Sequence, residues 1–177
     1  MLCACVQQRH AVSGDLTTLH AGSLHLPTTP SAPMRIFVDS PGNSTLADTL
    51  GRQLKNSRFQ VVDAPSKAGY ILHVTVLNQG QVNPEVLKAA VNSGYGAPSA
   101  FSGKGAYAML ADALMVQRRV PEAKRPTRQK LKNISARNAI DNTQMRLAVL
   151  DSHEPSAQGK EAFITAMTRE LATQIKE

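Results

Sequence analysis

Two neighbouring runs in the middle of the chain, Phe59–Val62 and Tyr70–Leu77, carry its densest β-strand pattern. In the second, Tyr70, Leu72, Val74 and Val76 alternate with Ile71, His73, Thr75 and Leu77, so one face is almost wholly apolar and the other mixed. The D-A-P-S-K-A-G between the runs predicts a turn or one helical turn. Met34–Asp39 predicts a further strand, and S-P-G-N after it delivers Asn43 or Ser44 as a helix cap. Thr45–Asn56 then repeats leucine every fourth position, at Leu46, Leu50 and Leu54, the stripe of a helix packed on a sheet.

Further along, Asn78 opens a polar turn, and Pro84–Val91 predicts a short helix with Asn83 as its cap. Asn92–Ala106 reads as a mobile loop with Tyr95 and Phe101 as packing points. Tyr107–Val116 is ambiguous by period, since its Ala, Leu and Met suit a helix and its unbroken apolarity suits a buried strand. Lys130–Ala136 and Gln144–Leu150 alternate and predict an antiparallel hairpin joined through Asn138–Asn142. Gln158–Lys176 lines up Phe163, Ile164, Met167, Leu171 and Ile175 as a long amphipathic helix. Together these give an α+β fold: a mostly antiparallel sheet with an N-terminal strand-helix-strand-strand unit, helices on one face, and the closing helix lying across it.

At 177 residues the chain is long enough for one core. Before Met34, residues 7–33 are rich in Ser, Thr, His, Gly and Pro and show no period, which predicts a flexible linker, with the folded domain at 34–177. His10, His20 and His25 fall in this linker at irregular spacing and read as solvated, so no metal site is predicted. The first residues, M-L-C-A-C-V, contain L-C-A-C, a lipobox-like pattern at 1–6 in which Cys5 takes the acyl chain. Cys3 and Cys5 stand too close to staple the chain. No apolar run is long enough for a transmembrane helix.

Charge adds one feature. The whole net charge of +7 falls between Arg118 and Arg137, where Arg118, Arg119, Lys124, Arg125, Arg128, Lys130, Lys132 and Arg137 face only Glu122. Such a segment suits phosphate, lipopolysaccharide or anionic headgroups. No aromatic residue interleaves the basic ones, so a nucleic-acid partner lacks a stacking platform and is disfavoured. Gly103-Lys104 departs from a phosphate-binding loop, with Pro98 where the first Gly belongs and Gly105 where Ser or Thr belongs. His73 and His153 have no nucleophile or paired carboxylate beside them in sequence, so neither an enzyme nor a cofactor is predicted.

The stretch R-F-Q-V-V-D-A-P-S-K-A-G-Y-I-L-H-V-T-V-L from Arg58, the N-S-G-Y-G of Asn92–Gly96, and a close of strand then long helix resemble the TraT family of outer-membrane lipoproteins. That family is known for complement resistance and for surface exclusion between conjugating cells. The resemblance implies an acylated cysteine at Cys5, an outer-membrane location, a homo-oligomer or envelope complex, and a strand at Tyr107–Arg118. It also exposes a departure: where the family carries a long Gly/Ala-rich apolar insert after its G-Y motif, this chain has only Ala97–Gly105. The function expected on this basis is contact and assembly in the envelope, in surface exclusion or as an accessory lipoprotein of a conjugation or type IV secretion complex. The alternative is an anionic-surface or nucleic-acid binder working through 118–137.

Overall fold

The structure, a computed structural model, describes residues 7–10, 16–25, 34–55, 59–118, 139–151 and 159–176. Seven strands among these residues make one sheet: β1 (Gln7–His10), β2 (Leu16–Gly22), β3 (Met34–Asp39), β4 (Phe59–Val61), β5 (Tyr70–Val82), β6 (Ala106–Arg118) and β7 (Ala139–Asp151). Their order is β1-β2-β7-β6-β5-β3-β4. β3 runs parallel to both β4 and β5, and the remaining pairs are antiparallel. Among the described residues three α-helices, α1 (Ser44–Lys55), α2 (Pro84–Asn92) and α3 (Lys160–Lys176), complete the α+β fold expected from the sequence.

Local chemistry accounts for the N-terminal unit. Gly42 adopts φ 74°, which a β-carbon would resist, and turns the chain into α1. Asn43 Oδ1 then caps the helix by accepting the Leu46 N–H at 3.2 Å. Leu46, Leu50 and Leu54 are fully buried against the sheet. Between β4 and β5 the predicted turn forms as one 3-10 turn at Pro65–Lys67. Lys67 Nζ lies 2.8 Å from Asp63 Oδ1, and that hydrogen bond holds the exposed carboxyl below the usual carboxylate range.

The centre of the sheet is covered on both sides. Met109, Ala111, Met145 and Leu147 meet Leu50 of α1 and Phe163, Met167 and Leu171 of α3 in one core. Ala108, Leu110, Ala148 and Leu19 meet Leu87 and Val91 of α2 in a second. A strand buried on both faces reads as a continuous apolar run, which is why Tyr107–Val116 is ambiguous by period and is a strand here. The second core also corrects the expectation of helices on a single face, because α2 packs on the face opposite α1 and α3.

Three further expectations change. The linker assigned to 7–33 contains β1 and β2, and Leu16–Gly22 pairs residue for residue with Asp151–Met145 of β7. Leu16, Leu19 and Ala21 are buried, so these sparse apolar residues work as a strand because the β7 ladder supplies what the local pattern lacks. The polar turn at Asn78 is instead the second half of β5, which continues past a bulge between Val76 and Asn78 and stays paired with β6 to Val82. Residues 139–142, expected to connect a hairpin, open β7 opposite Arg118–Val116. The proposed first hairpin strand, Lys130–Ala136, lies outside the described residues.

The place of β2 can be measured. Replacing Leu19, 2% exposed, with Ala lowers the stability of the protein by about 2–5 kcal/mol in urea unfolding. A residue in a solvated tether would leave the midpoint unchanged.

Candidate functional site

The feature with most built structure behind it is the loop from Asn92 to Gly105, which contains N-S-G-Y-G. Its start follows from the end of α2: Ser93 N–H returns to Ala89 O at 3.0 Å, and Gly94 N–H to Val91 O at 3.0 Å. Gly94 and Gly96 take φ 80° and 76°, so the two glycines of the motif occupy conformations that side chains disfavour.

Beneath the loop lies a buried ion pair. Asp112 of β6 and Arg146 of β7 stand directly opposite each other in the sheet register. Arg146 is fully buried and Asp112 is nearly so. Arg146 Nε donates to Asp112 Oδ1 at 2.6 Å and Nη2 to Asp112 Oδ2 at 2.9 Å, a two-pronged contact. The other donors reach the loop and helix end: Nη2 to Ala97 O at 2.8 Å, Nη1 to Ala90 O at 3.1 Å, and Nη1 to Ser93 Oγ at 3.3 Å. Asp112 Oδ2 also accepts the Gly96 N–H at 2.9 Å. The fork geometry of a guanidinium is thus saturated, which makes burial of the pair tolerable.

The rest of the loop is pinned as well. Asn78 Nδ2 donates to Ser99 O and Oγ, both at 3.1 Å, and Asn83 N–H donates to Ser102 O at 2.9 Å. Gly103, at φ 89°, passes so close to Asn83 that a β-carbon would sit 2.9 Å from Asn83 Cβ. The loop is therefore held, in contrast to the mobile loop expected from its composition. Phe101 packs against the second core as expected, whereas Tyr95 does not pack inward. At 38% exposure, Tyr95 is the one large hydrophobic side chain exposed among the described residues.

Sequence reasoning passed over Asp112 and Arg146. The signal that identifies them is a lone charge inside an apolar run, A-D-A and M-R-L, on two strands that pair. Of the basic residues singled out, Arg118 is nearly buried at the end of β6, with Nη1 donating to Pro65 O at 2.6 Å. Arg119, Lys124, Arg125, Arg128, Lys130 and Lys132 lie outside the described residues, as does Cys5.

The histidines divide. His73 Nδ1 lies 3.1 Å from Asp39 Oδ2 across β3 and β5, a half-exposed pair that sequence spacing did not reveal. His20, read as solvated, is 3% exposed and faces Glu170 Oε1 of α3 at 3.6 Å, while Gln174 Nε2 donates to that oxygen at 3.1 Å. His25 is exposed, with its ring nitrogen 3.3 Å from Ser23 Oγ. Among the described residues no group of three or more His, Cys, Asp or Glu is placed to hold a metal ion.

Comparison with known proteins gives one family. The family model described as "Enterobacterial TraT complement resistance protein" matches residues 30–145, more than half of the chain. That span includes the Phe59–Leu77 stretch, the N-S-G-Y-G loop, Asp112 and the last position, Met145, before Arg146. None of the curated proteins searched matches the chain. Among solved structures, a dodecamer of a PelC point variant from Paraburkholderia phytofirmans is similar at 10% identity and a TM-score of 0.46, covering 92% of this chain and 99% of that one.

Removing one half of the buried pair tests its role. Arg146→Ala strands the Asp112 carboxylate and lowers stability by about 3–5 kcal/mol, with faster amide exchange at Gly96 and Ala97. The double substitution Arg146→Met, Asp112→Leu recovers most of the stability in urea unfolding but leaves the exchange at Gly96 and Ala97 fast.

Proposed function

The chain belongs to the TraT family, and from that membership we propose that it is an outer-membrane lipoprotein, tethered through acylated Cys5, that works by contact and assembly. The family match over residues 30–145 carries this reading. Family members are outer-membrane proteins linked to complement resistance and surface exclusion, and they act without catalysis. The L-C-A-C pattern adds a chemical means of attachment at the right position. A triacylated cysteine brings many methylenes at about 0.8 kcal/mol each, enough for permanent residence in a bilayer.

The fold refines how such a tether would work. Cys5 stands two residues before Gln7, where β1 begins. That leaves at most about 7 Å of chain between the anchor and the sheet. The domain then sits close against the membrane surface, with the β1 edge nearest to it, instead of hanging on a long leader. The short Ala97–Gly105 segment cannot reach across a bilayer, so contact through this loop is confined to what Tyr95 and its neighbours touch. This favours a task in assembly: a homo-oligomer or an accessory lipoprotein of a conjugation or type IV secretion complex, with surface exclusion as its cellular readout.

Cys5→Ser separates the tethered reading from its competitors. The variant is expected to move from the outer-membrane fraction to the soluble one and to lose labelling by radioactive palmitate. Unchanged membrane retention would overturn the lipid anchor while leaving family membership intact.

A further inference from the structure

Pairing at the β4 edge of the sheet stops early. β4 covers β3 only from Met34 to Ile36, and the last bond on that side runs from Val62 N–H to Ile36 O at 2.9 Å before the chain turns away. On the other side of β3, Gly69 N–H bonds Arg35 O at 3.0 Å, so odd residues of β3 address β5 and even ones address the β4 side. Val38 is the next even residue. Its N–H and C=O therefore point past the end of β4.

Beside Val38, between the sheet edge and α1, lies a groove of about 580 Å³ that Val38 and Val62 help to line. Val38, Val61, Ala47 and Gly51 form its apolar floor and wall, and Asp48, Arg52 and Lys55 stand on its rim. Gly51 sits in the interior of α1, where glycine is less stable than alanine. Packing does not require it, because a β-carbon there would meet nothing nearer than Val61 Cγ1 at 3.7 Å, an ordinary contact. Its missing methyl leaves the space beside Val61 Cγ1 unfilled.

We infer that this notch receives an extended, acidic segment of a partner protein, added as a short strand beside Val38. Main-chain bonds to Val38 would supply attachment, an aliphatic side chain would enter between Val38 and Gly51, and a flanking carboxylate would meet Arg52 or Lys55. The rim carries two cations against one anion, and among the described residues Arg52 uses one donor, Nη2 to Thr49 Oγ1 at 3.1 Å. The opposite sheet edge of another copy fits poorly, because β1 has the sequence Q-Q-R-H, with a cation and no carboxylate. The inference is independent of lipidation and of the envelope role.

The test uses the full chain and fluorescent octapeptides that alternate valine with glutamate or valine with lysine. The Val/Glu peptide is expected to bind at least tenfold more tightly than the Val/Lys peptide. The double variant Arg52→Glu, Lys55→Glu should weaken Val/Glu binding at least tenfold. Val38→Pro removes an N–H that lies outside the sheet ladder, so it should abolish binding while the circular dichroism spectrum is kept; Gly51→Leu, which fills the groove, should do the same. Equal binding of both peptides, or binding that survives both Val38→Pro and Gly51→Leu, would overturn the inference. So would a charge-reversed double variant whose only change is lost self-association by ultracentrifugation, since that places the groove between copies of the chain.

Discussion

The arrangement around N-S-G-Y-G depends on one buried contact, the Arg146–Asp112 pair. A guanidinium in an apolar interior is tolerable only when its donors are used, and here they are spent on Asp112, on Ser93 and on carbonyls of the α2 end and the loop. Taking two charges out of water offsets much of their mutual attraction, so the pair adds little net stability for its size. Its physical effect is to specify one position for backbone that has no secondary structure of its own. Two glycines with positive φ make the turn possible, and the ion pair selects it.

The same contact ties together the layers. Asp112 and Arg146 belong to the two central strands, whose other residues are packed on both faces, so the pair rests on the most rigid part of the sheet. From there it reaches through the second core to α2 and the loop, and Tyr95 is carried at the end of a fully braced chain. The opposite face is conventional: the leucines of α1 and the apolar stripe of α3 close over it, with Gln53 Nε2 donating to Thr168 Oγ1 at 3.0 Å where the two helices meet. The sheet margins are less complete. β4 is only three residues long, and its pairing with β3 ends at Ile36, next to the groove against α1.

Much of the fold was legible because its signals are local. The Leu46, Leu50 and Leu54 stripe, the Asn43 and Asn83 caps, the Pro84 helix start and the alternation of Tyr70–Leu77 each depend on neighbours a few residues away, and each forms where expected. Family membership was legible for a related reason, since Phe59–Leu77 and N-S-G-Y-G are continuous words in the chain. What was missed depends on residues far apart. Leu16–Gly22 lacks a pattern of its own and becomes a strand by pairing with β7, more than a hundred residues later in sequence. His20 is buried for the same reason, through α3. Asn78–Val82 is polar enough to look like a turn, yet β6 is long enough to hold it in the ladder.

By itself, then, the sequence determined the element types with strong periodicity, the α+β class and the family, because hydrophobic spacing and capping chemistry act within a few residues. It took the packed fold to show that Gln7–His10 and Leu16–Gly22 join the sheet, that α2 covers the second face, and that two lone charges from β6 and β7 meet under the loop. The reason is physical: burial of an isolated charge or a weak strand is unfavourable in every local context, and it becomes favourable only when a partner from a distant part of the chain completes the hydrogen bonds.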